Sequence, residues 1–360
     1  MRDISEVRKD IDSIDEQIIT LINRRYGLAG EVGEWKRANR REIYVPEREK
    51  ALLERLEGLN KGPLPNSTLR SIYREIMSGA LALEAPITIA FLGPENTFSH
   101  QAAMSKFGHS VRYQPKNSIA EVFEEVEKGK AHYGVVPIEN STEGAVTYTL
   151  DVFAASACKI CAELNLPAHQ NLVSKVSRDK IKVIYSHPQA LGQCRLYLHR
   201  NFPGIPTVET RSTADAARLA ADEEGAAAIS STLAATHYGL DVLDAKVEDM
   251  NDNITRFLVI SGQETRSTGD DKTSLMFSVK DKVGALYEVL SHFDRNAVNM
   301  TMIESRPSKL KKGEYYFFVD FLGHMSDAVT AKVVAELKET CPFVKILGSY
   351  PANAEKVELA

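Results

Sequence analysis

The chain has 360 residues, 43% of them hydrophobic and 26% charged, with a formal net charge of −5. That length suits two or three domains of roughly 100–200 residues each, and so small a charge excludes a global field for nucleic acid or a membrane surface. The opening MRDISEVRKD is too charged for a signal peptide and no apolar run nears the ~18 residues of a spanning helix, so a cytoplasmic protein with no nucleic-acid and no membrane partner is expected.

Residues 1–85 read as all helix. Ile4, Val7, Ile11, Ile14, Ile18 and Leu21 alternate spacings of three and four, and Leu28, Val32 and Trp35 continue this heptad seam. Arg25 takes the core position between Leu21 and Leu28, where a guanidinium is costly unless paired. Either it marks a solvated edge or a register-setting position, or the seam encloses an anion. Lys36 flanks the seam, and Arg8 holds an equivalent heptad position nearer its start. VPEREKALLERL begins a second helix with Pro46 in its first turn and presents Arg48 and Glu49 one turn before Leu52 and Leu53. NSTLRSIYREIMSGALALEAP is a third, stopped before Pro86, with Tyr73, Met77, Ala80 and Glu84 on one stripe. Four cations and two acids around a helical core point to a site for a small dianion. Three helices cannot bury such a seam alone, so a homodimer, or a homotetramer, is expected.

VRKDIDSIDEQIITLINRR, GEWK and PERE resemble the all-helical chorismate mutase family over roughly residues 4–84. The resemblance implies that Arg8 and Arg25 clamp the two carboxylates of chorismate, with Arg8 reaching in from the partner chain. It implies that Lys36 and Glu84 contact the ether oxygen, that Arg48 supports the site and that Glu49 holds the ring hydroxyl. Val45 stands where relatives can carry a carboxylate, Ala80 where they can carry a serine, and Glu84 replaces a common glutamine.

Residues 86–263 change grammar. ITIAFLG, VRYQ, YGVVPIEN, TVET and AAAIS read as strands among helices such as SIAEVFEEVEKG and TADAARLAADEEG. This is an α/β pattern with mostly parallel sheets, expected as two lobes around a cleft. Polar clusters end the strands in PENTFSH, PIENSTEG, YSHPQALGQC and NITRF, where open α/β sheets bind ligands. One such cluster is a capping loop; four point to a site. No Gly-rich phosphate loop, HExxH or GxSxG occurs. The Ser–His neighbours of FSH and YSHP are adjacent in sequence, where side chains rarely meet. Four cysteines, Cys158, Cys161, Cys194 and Cys341, make no disulfide framework, and CKIC falls in an alanine-rich stretch read as helix, so buried thiols are expected rather than redox or metal chemistry.

FLGPENTFSHQAA, GVVPIENSTEGAV, YSHPQALGQC and NITRFLVI together resemble the prephenate dehydratase family across this segment. The resemblance implies a cleft in which Thr255 is the residue tied to catalysis. It implies helper roles for Asn140, Ser141 and Gln193, with Phe257 packed beneath, and it calls for no cofactor and no metal.

Residues 272–350 follow a polar linker, GQETRSTGDD. The order strand, helix, strand, strand, helix, strand is the split ferredoxin-like α+β plan. GALYEVL and ESRP resemble the paired motifs of ACT domains, a family of amino-acid sensors. The resemblance implies that Gly284, Ala285, Leu286, Glu304, Ser305, Arg306 and Pro307 bind L-phenylalanine as an allosteric effector.

The expected fold class is therefore multidomain: an all-α mutase domain (1–85), a two-lobed α/β dehydratase domain (86–263) and a ferredoxin-like ACT domain (272–350). The three resemblances fit one another, since one activity makes prephenate and the next consumes it, with phenylalanine one transamination downstream. Together they imply both activities in one chain, converting chorismate to prephenate and prephenate to phenylpyruvate under phenylalanine feedback. A non-catalytic two-lobed binding protein and a phenylalanine-sensing regulator are the competing classes. The cation set and Thr255 argue against the first, and Arg25 in the seam, where a pure dimer interface would prefer an apolar residue, argues against the second.

Overall fold

The computed structural model describes residues 2–39, 44–250, 252–307, 315–352 and 355–356. Asn251, just before NITRF, and Glu314, at the start of a predicted strand, lie outside them. The chain divides into two compact units, Met1–Thr88 with Phe107–Arg112, and Ile89–Lys106 with Tyr113–Ala360.

The first unit holds α1 (Ile4–Ala38), α2 (Pro46–Leu59) and α3 (Asn66–Glu84). Pro46 occupies the first turn of α2, where its missing N–H costs nothing. α1 and α3 meet at a glycine. A Cβ on Gly33 would lie 3.0 Å from the Glu84 Cα and 2.9 Å from its Cγ, so only glycine allows this approach. Gly33 is also the one buried residue of the 35-residue α1. The heptad seam lies open instead, with Ile4 and Leu21 63% and Trp35 59% exposed. Residues 107–112 dock on α3, where Ser110 N donates to Ser78 Oγ (3.0 Å) and His109 Nδ1 meets Glu75 Oε1 (2.9 Å).

The second unit begins with β1 (Thr88–Leu92), α4 (Phe98–Phe107), β2 (Arg112–Lys116), α5 (Ile119–Glu127), β3 (Tyr133–Asn140), β4 (Gly144–Ala145), α6 (Thr147–Ala155) and β5 (Lys159–Pro167). The chain then crosses to a second lobe made of β6 (Asn171–Ser174), β7 (Val183–Ser186), α7 (Pro188–Gln193), α8 (Arg195–Asn201), β8 (Thr207–Glu209), α9 (Thr213–Asp222), β9 (Ala226–Ser230), α10 (Thr232–Tyr238) and β10 (Asp241–Asp244). It returns to the first sheet as β11 (Ile254–Ser261). The first sheet has the order β16-β5-β11-β3-β1-β2, with β16 at Glu355–Lys356, and the second β10-β6-β9-β7-β8.

These sheets are mixed, which corrects the expectation of mostly parallel pairing. β11 runs antiparallel to both β3 and β5, and β6 antiparallel to both β9 and β10. The double crossing is the reason: β5 leads out of the first lobe, and β11 re-enters it in the opposite sense. A second correction concerns CKIC. α6 ends at Ala155 and Cys161 already belongs to β5, so the pair spans a coil-to-strand junction. The helix stops where Lys345 Nζ takes the carbonyls of Phe153 (2.7 Å) and Ser156 (2.6 Å), groups that a helix end leaves without intrahelical partners. Cys158 and Cys161 are buried, and burial pushes the Cys158 thiol up from its ordinary range.

The last part runs β12 (Asp271–Ser278), α11 (Ala285–Arg295), β13 (Met300–Pro307), β14 (Tyr315–Leu322), α12 (Ala328–Thr340) and β15 (Phe343–Pro351), the βαββαβ order, in a sheet β13-β14-β12-β15. Leu275, Phe277, Phe293, Val319, Phe321 and Leu337 pack its two helices onto one face. Its β15 lies against β5, where Lys159 Nζ donates to Ile346 O (2.8 Å). No helix among the described residues is long and apolar enough to cross a membrane.

The β15–β5 joint has no spare room. A Cβ on Gly348 would stand 2.2 Å from Ile160 O and 2.8 Å from Ile160 N, both backbone atoms. Gly348→Ala is expected to destabilise the second unit by about 1–3 kcal/mol through overpacking, measured as a lower unfolding midpoint. Gly58→Ala, on α2 with nothing within 4 Å of the added atom, is the control. It should be neutral or stabilise by up to about 1 kcal/mol, the helix-propensity difference.

Candidate active sites

All three helices of the first unit contribute to a cavity of about 360 Å³. Arg25, Lys36, Arg48, Arg55, Glu49 and Glu84 are its charged lining. Arg25 Nη1 is buried without a hydrogen-bond partner among the described residues. A buried donor left unmade is costly, and an anionic oxygen in the cavity removes that cost. Lys36 Nζ donates to Glu84 Oε2 at 2.8 Å, with both side chains largely buried, and Arg37 donates to the Glu84 carbonyl. Val45 and Ala80 line the same space.

Three of the four cations read from the sequence thus share one cavity, and Arg8 is not among its lining residues. Arg8 is exposed near the start of α1, about 25 Å along the helix from Arg25 at a 1.5 Å rise per residue. Arg55 escapes the sequence reading although a signal exists: it follows Arg48 by seven residues, two turns along the same face of α2. Tyr44, also at the cavity, sits before a helix in a stretch with no periodicity to mark it.

In the second unit four side chains close a hydrogen-bonded ring. Asn140 Nδ2 donates to Asn253 Oδ1 (2.8 Å), and Asn253 Nδ2 donates to Gln193 Oε1 (3.1 Å). Gln193 Nε2 donates to Thr142 Oγ1 (3.2 Å), and the Thr142 hydroxyl donates to Asn140 Oδ1 (2.6 Å). The direction of the ring is fixed by the backbone. Thr142 N (3.1 Å) and Glu143 N (3.2 Å) can only donate, and both donate to Asn140 Oδ1. Asn140 Nδ2 must therefore donate its remaining bond to Thr255 Oγ1 (2.8 Å). A hydroxyl that accepts there still has its own proton to give. The strands set this meeting: Asn140 pairs Thr255 across β3 and β11.

Ser141 has a different place. Its Oγ donates to Asp252 O (2.8 Å) and accepts from Ile254 N (3.0 Å), stapling the entry of β11. It lines a separate cavity of about 470 Å³ together with Arg256, Glu163 and Lys272. The ring instead borders a cavity of about 200 Å³ lined by Thr142, Gln193, Asn253 and the 248–250 segment. Phe257 is buried, 1% exposed. His100 and His187 serve local structure: His100 Nδ1 accepts from Asn96 N (3.0 Å) and its ring stacks on Phe91 at 4.5 Å, while His187 caps α7. Asn253 and Thr142 are the residues that sequence reasoning passes over, although both lie inside quoted motifs. No group of three metal-ligating side chains forms a metal site among the described residues.

The two sensor motifs lie at one end of their sheet. Ser278, which leads toward Gly284, pairs Tyr316, and Tyr316 pairs Arg306, so the ends are two strands, about 10 Å, apart. Gly284 adopts φ 78 before α11, Ala285 is buried, and Leu286, Glu304 and Arg306 are half-buried, with Ser305 and Pro307 exposed. Arg306 Nε is buried without a hydrogen-bond partner among the described residues.

A helical cavity ringed by cations, a two-lobed α/β body with an amide-rich cleft and a ferredoxin-like domain define a multidomain enzyme of the mutase–lyase class. The chorismate mutase type II family matches residues 7–85, prephenate dehydratase 89–265 and the ACT domain 273–339. A bifunctional chorismate mutase/prephenate dehydratase of Aquifex aeolicus is 47% identical over 98% of each chain, and one of Stutzerimonas stutzeri 45% identical over 97% of each. The crystal structure of prephenate dehydratase in complex with L-Phe from Arthrobacter aurescens superposes with a TM-score of 0.69 at 36% identity, covering 76% of this chain and 93% of that one. The chain belongs to the bifunctional chorismate mutase/prephenate dehydratase family.

Asn253 is expected to orient the ring. Asn253→Asp keeps the acceptor for Asn140 but turns the donor toward Gln193 into a second acceptor. The clash should cut prephenate turnover at least tenfold and leave chorismate rearrangement within twofold, measured by separate assays on the two substrates. Equal prephenate kcat in variant and wild type would remove Asn253 from the site.

Proposed function

We propose that the helical cavity rearranges chorismate to prephenate, that the cleft at Thr255 converts prephenate to phenylpyruvate, and that L-phenylalanine inhibits the second step from the ACT domain. The working boundaries are residues 1–85, 86–263 and 272–350, in a cytoplasmic homodimer or homotetramer. The observation that carries the dehydratase reading is the ring whose backbone-fixed direction leaves Thr255 a hydroxyl proton to donate.

The first reaction is pericyclic: an ether C–O bond breaks as a C–C bond forms, with no nucleophile. The protein holds the reactive conformer and stabilises charge growing on the ether oxygen. Arg25 offers its unpartnered Nη1 to a carboxylate. Lys36 supplies a cation for the ether oxygen, and Glu84, its partner at 2.8 Å, lies at the same contact. Arg48 supports the anion, and Glu49 receives the ring hydroxyl. In the second reaction the ring carboxylate leaves as carbon dioxide. Its bonding pair moves into the ring and expels hydroxide, and the ring becomes aromatic. Thr255 donates a hydrogen bond to the departing oxygen, with Asn140 and Gln193 holding its direction. Ser141 keeps the chain entering β11 in place. Gly284, Ala285, Leu286 and the 304–307 strand end hold the effector, whose carboxylate suits the unpartnered Arg306 Nε.

Dimerisation is supported by the open seam of α1. An antiparallel pairing of two α1 helices centred midway between Arg8 and Arg25 covers Ile14 and Ile18 and sets each Arg8 opposite the partner's Arg25.

One assay with chorismate, following prephenate and phenylpyruvate with and without phenylalanine, tests the whole reading. Arg25→Ala should abolish mutase turnover and leave prephenate dehydration intact, while Thr255→Ala does the reverse. Loss of both activities from either change in folded protein would mean shared sites. The dimer reading has its own check. Arg8→Ala and Arg25→Ala chains, each inactive as mutase, should regain about a quarter of wild-type activity once their subunits are exchanged, because half the dimers are mixed and each mixed dimer has one intact site. No recovery after proven exchange would place Arg8 outside the site.

A further inference from the structure

Arg256 follows Thr255 on β11, yet its side chain leaves on the opposite face. It lies in a joint between two sheets. Its Nε donates to Glu163 Oε2 (2.7 Å), and its Nη2 stands 2.7 Å from Asp320 Oδ2 and donates to Tyr350 OH (3.1 Å). Glu163 belongs to β5, the neighbour of β11, whereas Asp320 and Tyr350 belong to β14 and β15 of the ferredoxin-like domain. Lys272 Nζ holds the other Glu163 oxygen at 2.7 Å, and Ser274 Oγ donates to Asp320 Oδ1 (2.5 Å). The Glu163 side chain is 0% exposed and that of Asp320 4%, so each depends on its cations. Burial, then the charges of Asp320 and Glu163, push the Tyr350 hydroxyl far up, which keeps it a neutral donor to Ser274 Oγ (2.7 Å).

The far side of this cluster is the strand that carries the second sensor motif. Asp320 pairs Met302 across β14 and β13, two residues before Glu304, and Met302 Sδ lies 3.7 Å from Arg256 Nη1. One guanidinium therefore touches the sensor strand at one end and is one residue from the Thr255 backbone at the other. The pairing of β11 with β3 is irregular between Arg256 and Phe257, a bulge-like break that bends the strand and re-aims the side chains beside it. The 470 Å³ cavity borders the cluster on the Lys272 and Met302 side and leaves room for the ions to re-pair.

We infer that Arg256 is a positioning residue: it ties the strand of Thr255 to the sensor sheet through Asp320, and the effector acts on dehydration by shifting this joint. The inference rests on the phenylalanine reading of the ACT domain proposed above. A ligand that inhibits without touching the cleft needs a structural element that both sites bias, and this joint is one physically contiguous candidate.

The test uses Asp320→Asn in the full-length chain. This change keeps the side-chain size and the Arg256–Glu163 pair but removes the anion on the sensor side. Prephenate kcat and KM without effector should stay within about twofold of wild type, and L-phenylalanine should still bind, measured by calorimetry. Its inhibition midpoint should rise at least tenfold above the binding midpoint, whereas the two coincide in wild type. Asp320→Asn inhibited at the wild-type midpoint and to the same extent overturns the proposal. Arg256→Lys, which retains the charge but loses the fork, gives the second arm and covers the case in which Asp320→Asn fails to fold. A positioning role predicts an unchanged KM with weakened inhibition; a KM rise of tenfold or more with normal inhibition would make Arg256 a substrate contact and overturn it. Wild-type protein that binds no phenylalanine sinks the effector reading itself, a result separable from every outcome with the variants.

Discussion

Side chains alternate across a β-strand, and on β11 that alternation separates the amide ring from the domain joint. Thr255 turns to one face and meets Asn140, while Arg256 turns to the other and meets Glu163 and Asp320. The strand lies between β3 and β5, so both neighbours contribute: β3 brings Asn140 beside the hydroxyl, and β5 brings Glu163 beside the guanidinium. A slip of one residue would exchange the two faces, burying a threonine among ions and thrusting a cation into the amide ring. Pairing on both edges, with β3 and with β5 from Thr255 to Ser261, opposes such a slip. The site and the domain joint therefore depend on one register.

The ring itself is built from amides and a hydroxyl, with the ionisable Glu248 and Asp249 beside it on the cavity wall. A ring of Asn, Asn, Gln and Thr has a direction but no charge to titrate, so it holds its polarity over any ordinary pH. The two crossovers between the lobes meet at its centre, where Asn253 also donates to Ala168 O (3.2 Å) and Ala168 N to Asn253 O (2.8 Å). Asn253 thus joins the two crossovers to the ring, and through Asn140 to Thr255. The helical cavity works by the opposite principle. There an orphan Arg25 nitrogen and the Lys36–Glu84 pair hold fixed charge in a partly dry space, suited to an anionic ligand and a reaction that needs only field and fit.

Much of this was legible in the residues because it depends on local period. The α1 seam, Pro46 at the start of α2 and the βαββαβ order follow from spacings of three, four and two. The polar clusters at strand ends marked the segments PIENSTEG, YSHPQALGQC and NITRF that meet in the ring, while Asn140, Gln193 and Thr255 were singled out within them by the family resemblance alone. The parts that were not legible depend on pairs far apart in sequence. The ring and its branch join residues separated by 113, 115, 60 and 51 positions. The early end of α6, which leaves CKIC outside the helix, has its last carbonyls taken by Lys345, nearly two hundred residues later. The mixed sheets follow from a double crossing that no window of sequence displays. Arg256 is the instructive case: strand alternation alone says that it cannot share a face with Thr255, but nothing local says what waits on the other side.

A joint made of buried ions is a poor source of stability, since removing four charges from water costs about what their pairing returns. Apolar packing would hold β5 and the sensor sheet together at least as well, and the cluster of Ile160, Met276, Phe318 and Leu347 shows that such packing is present nearby. The ions contribute something packing does not. An apolar contact tolerates small sliding, whereas a guanidinium shared between Glu163 and Asp320 has a small set of acceptable positions separated by steep costs, with about 3–5 kcal/mol lost when one partner is left alone. A sensor needs that discreteness, because an effector can shift only an equilibrium between distinct states. The cost of burying Arg256, Lys272, Glu163 and Asp320 is therefore best understood as the cost of having a joint with definite positions on the strand that carries Thr255.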